Sequence, residues 1–61
     1  MNVKQTFLEL LKKYDGDLSK TSHEDTQKIY ACFNECEFNN VNPFDVLREV
    51  RVELYEIPKT N

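Results

Sequence analysis

The stretch Asn42–Ile57, NPFDVLREVRVELYEI, decides the fold, because it joins the clearest helix-start signal in the chain to more apolar surface than one contact can use. Asn42 is placed to cap the first turn and Pro43 suits the first helical position, where no amide partner is lost. Asp45, three residues after the cap, suits the positive end of the helix dipole. Pro58 forbids continuation. At about 100° per residue, Val46, Leu47, Val50, Leu54 and Ile57 form one core-facing stripe. Phe44, Val52 and Tyr55 fall roughly opposite, with Arg48 and Arg51 among them, and Asp45, Glu49, Glu53 and Glu56 fill a separate acidic strip.

The same residues carry a rival pattern. Val50, Val52 and Leu54 alternate with Glu49, Arg51 and Glu53, as in a half-buried strand. No other segment alternates, so a strand over 49–57 would need a second copy of the chain for pairing, giving an α+β dimer. Helix over 43–57 is the better reading, because the start and stop signals frame it.

Working back, Val3, Phe7, Leu10, Leu11 and Tyr14 share one helical face and predict a first helix over 3–14. Asn2 is its expected cap and Asp15-Gly16 its end, with Gly16 as the left-handed terminator. Leu8 falls off the stripe and is expected to be exposed. After the loop DGDLSK (15–20), Thr21-Ser22-His23-Glu24 reads as a capping box between Thr21 and Glu24, opening a second helix over 22–37. Ile29, Tyr30, Cys32, Phe33 and Cys36 lie on one side of it. Asn39-Asn40-Val41 turns into the third helix. The three stripes predict an all-α domain, a small three-helix bundle over 1–61, with a core of Phe7, Leu10, Leu11, Tyr14, Ile29, Phe33, Cys36, Leu47, Val50 and Leu54.

A chain of 61 residues is one domain whose core supplies only about 3 to 5 kcal/mol of net stability. Its 39% apolar residues and net charge of −3 suit a folded, soluble surface rather than a disordered chain. No apolar run approaches the length of a membrane span, and the N-terminal residues lack the apolar core of a secretory signal. A cytoplasmic location with reduced thiols is expected.

Chemical motifs are sparse. Cys32 and Cys36 are neighbours on one helical face, yet structural zinc wants four ligands and only His23 remains. Their spacing is also too long for a bridge within one helix. Both are expected to pack. Asp15, Asp17 and Ser19 imitate the start of a calcium loop, but Lys20 stands where its glycine belongs and Thr26 where its closing glutamate belongs. No cofactor or metal is expected. No nucleophile, base and oxyanion set is legible, so the chain reads as no enzyme and as having no small-molecule substrate. Helices two and three, with Arg48 and Arg51 on the second, imitate a helix-turn-helix. However, residues 21–41 hold four acidic residues and one basic, the reverse of the basic stripe that phosphate binding needs. A transcriptional regulator of that type is therefore the second choice. The first is a small protein-protein interaction module, a regulator, inhibitor or adaptor. It would present Phe44, Arg48, Arg51, Val52 and Tyr55 to another protein or to a second copy as a homodimer, since aromatics and arginine dominate binding hot spots.

Overall fold

The computed structural model describes residues 2–56, without the side chain of Glu56. Its elements are α1 (Val3–Lys13), a single 3-10 turn (Leu18–Lys20), α2 (His23–Phe38) and α3 (Pro43–Glu56). All three helices pack on one another as a three-helix bundle. The described residues hold no strand, and 49–56 are helical, which removes the alternating reading of that stretch. Ile57 and Pro58, the expected end of the stripe and its terminator, lie outside the described residues.

Local chemistry sets the ends. Asn2 caps α1, its side chain accepting from the Gln5 amide at 3.0 Å. At the other end the Gly16 amide donates to the Leu11 carbonyl at 2.8 Å and the Asp15 amide to Lys12, a Schellman closure. Asp15 (φ 54°) as well as Gly16 (φ 88°) is left-handed there, so the terminator expected at Gly16 begins one residue earlier. Asp is one of the few non-glycine residue types that visit that conformation. A β-carbon on Gly16 would also stand 2.5 Å from the Tyr55 hydroxyl, so that the Tyr55 side chain would have to swing aside. The cap of α2 is Ser22, which accepts from the Asp25 amide at 3.1 Å. The expected Thr21–Glu24 box is thus out by one residue, and the Thr21 hydroxyl bonds that of Thr26 instead, at 2.7 Å. The C-terminus of α2 closes as a second Schellman motif, with Asn40 left-handed (φ 62°) and the Val41 amide donating to the Cys36 carbonyl at 2.8 Å.

Phe7, Leu11, Cys32 and Val50 are fully buried, and Val3, Leu8, Leu18, Phe33, Val46, Leu47 and Leu54 pack around them. Each of the large side chains at the centre contributes about 1.5 to 3 kcal/mol by leaving water. Cys32 belongs to this centre and Cys36 is buried beside it, as expected of packed cysteines. Leu8 was expected to be exposed and instead is partly buried against the core. The cause is architectural, because α1 packs against both α2 and α3 and so buries more than a single stripe. Tyr14 and Ile29, placed in the expected core, are only partly buried.

Candidate functional site

The outer face of α3 is positioned by the cap that starts the helix. Asn42 accepts from the Phe44 amide at 2.9 Å through its side chain, which fixes where Phe44 leaves the backbone. The Phe44 ring then meets Phe33 edge-on, with centroids 5.5 Å apart and planes at 68°, and Phe33 meets the buried Phe7 at 6.3 Å and 73°. Such pairs add about 0.5 to 1.5 kcal/mol beyond burial. An aromatic chain therefore runs from the core to the surface, and Phe44 at its end keeps 64% of its surface exposed.

The remaining expected contact residues follow on the same face. Arg48 donates to Asp45 at 2.9 Å in a solvent-exposed pair, worth little to stability. Arg51 is exposed and makes no ion pair among the described residues. Val52 and Tyr55 stay 48% and 44% exposed, the Tyr55 hydroxyl lying over Gly16. Phe44 and Tyr55 thus rest on the bundle along one edge while presenting the other to water.

Sequence periodicity undercounted this surface. Phe38 at the last turn of α2 is the most exposed large apolar residue described, at 87%, and Val41 in the following turn is 43% exposed. The available signal was angular, because Phe38 falls well away from the Cys32–Cys36 side of its helix. Tyr30 is also exposed.

A second missed residue is Asp25, buried at 2% exposure. Its Oδ2 accepts from Lys13 Nζ at 2.7 Å and from the Tyr14 hydroxyl at 2.5 Å, and Lys28 stands 3.6 Å from Oδ1. The Tyr14 hydroxyl in turn accepts from the Ser22 amide at 3.1 Å. The hydrogen bond from Lys13, then that from Tyr14, hold the carboxyl down at about 2 against the opposing effect of burial. Lys13 is correspondingly raised by Asp25. With every partner in place, this group staples the end of α1 to the start of α2 and offers no atom to a substrate.

Neither cysteine is in a disulfide, and burial pushes both thiols up. That keeps them protonated and poor as nucleophiles or ligands. No group of three or more metal-ligating side chains gathers among the described residues. No helix of the described residues is long and apolar enough to cross a membrane. No family model matches the chain, and the comparisons with curated proteins and solved structures found no match.

Proposed function

We propose that this chain is a non-enzymatic interaction module, a small regulator, inhibitor or adaptor of the cytoplasm that presents α3 to another protein. One observation carries the reading. Phe44, Val52 and Tyr55 remain 64%, 48% and 44% exposed on a helix whose opposite stripe already serves the core. Aromatics beside Arg48 and Arg51 are the residue types that dominate binding energy at protein interfaces.

Self-association through α3 is the weaker form of the proposal. Antiparallel pairing about the middle of the helix sets Phe44 against Tyr55 of the second copy. It also sets Arg48 against Arg51, gathering four guanidiniums at the centre, where like charges are penalised. A different protein with its own charge pattern avoids that penalty.

Sedimentation of the purified chain, followed by recovery of partners from its native cell, tests the reading. A specific protein should be retained by the native chain and lost with Val52→Glu, a change on an exposed position that leaves the fold intact. A monomer that retains no protein through this face refutes the proposal. Retention on duplex DNA at low salt, lost steeply as salt rises, would put a nucleic-acid regulator in its place.

A further inference from the structure

The end of the bundle where α2 turns into α3 differs in character from the face of α3 alone. Val41 stands there between three shallow hollows of about 510, 270 and 480 Å³, bounded respectively by Phe33 and Pro43, by Cys36 and Val46, and by Val46 and Val52. Phe38 and Phe44, exposed at 87% and 64%, precede and follow this turn in the chain. Carboxylates outnumber cations around the hollows, Glu35, Glu37, Asp45 and Glu49 against Lys4 and Arg48. Glu37 borders the first, and Glu35 and Glu49 border the second. None of these three carboxylates has an ion pair among the described residues, while the nearby cations are already engaged, Lys4 with Glu53 at 2.6 Å and Arg48 with Asp45 at 2.9 Å. The last turn of α2 has no basic residue, so Glu35 and Glu37 add to the negative end of the helix dipole instead of offsetting it. The local arrangement costs stability, offset only in part by the Asn39 side chain, which donates to the Glu35 carbonyl at 2.9 Å, and by the attraction between Glu49 and Lys4.

We infer that this end of the bundle docks a basic, apolar segment of a partner protein, one in which a Leu-like or aromatic side chain is flanked by Lys or Arg. The apolar side chain enters a hollow beside Val41. The flanking cations meet Glu35, Glu37 and Glu49, and the exposed rings of Phe38 and Phe44 offer their faces to the same charges. Complementarity of this kind selects the partner and raises its association rate. The inference rests on the reading of the chain as an interaction module and adds the chemistry of the partner. It also shifts the centre of the contact from the middle of α3 to residues 35–45.

The test is selection from a random peptide display library on the full chain, with the best peptide then titrated against amide chemical shifts. Enriched sequences should pair Lys or Arg with a large apolar residue, and the shifts should centre on 35–45. Phe38→Ala and Glu37→Lys should each weaken binding roughly tenfold. Circular dichroism should show both variants as folded as the native chain, because both positions are exposed. Affinity should fall as salt rises. Enrichment of acidic peptides that map to Arg48, Arg51 and Tyr55 would overturn this inference while leaving the interaction module standing. Basic peptides whose shifts scatter over the surface would overturn it too. No enrichment over a blank support would overturn both.

Discussion

The two ends of α2 are built on opposite principles. At its start, one buried carboxylate, Asp25, is matched by Lys13, Tyr14 and Lys28, and the Ser22 side chain takes up the Asp25 amide. At its finish, Glu35 and Glu37 lie at the negative pole with no basic residue in the last turn, next to an almost fully exposed Phe38. The first end is closed and satisfied, as a buried charge must be. The second is open and has no cation on its own last turn, which a small domain tolerates because Glu37 and Phe38 face water and Asn39 caps the Glu35 carbonyl. The contrast separates residues that hold the fold from residues left facing water.

The largest effect should come from comparing a phenylalanine of the core with the one at the open end. Phe7→Ala removes a fully buried ring, at a cost of about 3 to 5 kcal/mol, comparable with the whole stability of a domain this size. Far-ultraviolet circular dichroism should show it largely unfolded. Phe38→Ala should move the urea midpoint by less than about 0.5 kcal/mol equivalent. Similar losses for both would show that Phe38 serves the fold.

Next in size is Asp25. Its folded-state carboxyl, at about 2, lies below the ordinary 3.8, so its stabilisation is fully present above the ordinary value and is lost as pH falls through the folded one. Between about pH 4 and 2 the native chain should lose stability, and Asp25→Asn should lose less over the same window. Some acid sensitivity should survive in the variant, because Asp17 is also depressed by its hydrogen bonds with Ser19. Identical pH profiles would mean that the staple contributes nothing. The variant remains folded at neutral pH, since Lys13 and Lys28 are more than half exposed and return to water.

Ser22→Ala should cost about 1 kcal/mol in a denaturant titration, and Ser22→Asp should restore most of it, because either side chain can accept from the Asp25 amide. Gly16→Ala is of similar size, about 1 kcal/mol, from its left-handed backbone alone, and it should also displace the Tyr55 ring. The smallest change is expected at the open end and has the opposite sign. Glu37→Lys should stabilise the chain by a few tenths of a kcal/mol, since a cation there offsets the dipole. A destabilising result would show that Glu37 serves the fold.

How much of this was legible follows from the range of the interactions. Asn2, Asn42-Pro43 and the Asp15-Gly16 stop act within a turn of their own helices, and so could be placed from sequence spacing. The start of α2 could not be settled to the residue, because Thr21-Ser22 offers two adjacent caps and only the packed chain chooses Ser22. On the candidate face, Phe44, Arg48, Arg51, Val52 and Tyr55 were legible from periodicity, and all five are exposed. Phe38 was legible in the same angular way although missed, whereas the exposure of Val41 depends on how α2 meets α3.

The sequence by itself determined three helices, their apolar stripes and most of their ends, because periodicity and capping are local and depend on neighbours within about four residues. Tertiary structure alone decided that Asp25 is buried, since Lys13 and Tyr14 reach it from 12 and 11 residues away. It likewise decided that Leu8 packs, because α1 lies against two helices, and that Val41 sits among three hollows beside unpaired carboxylates. Burial and charge pairing between distant residues are properties of the assembled bundle, and no one segment contains them.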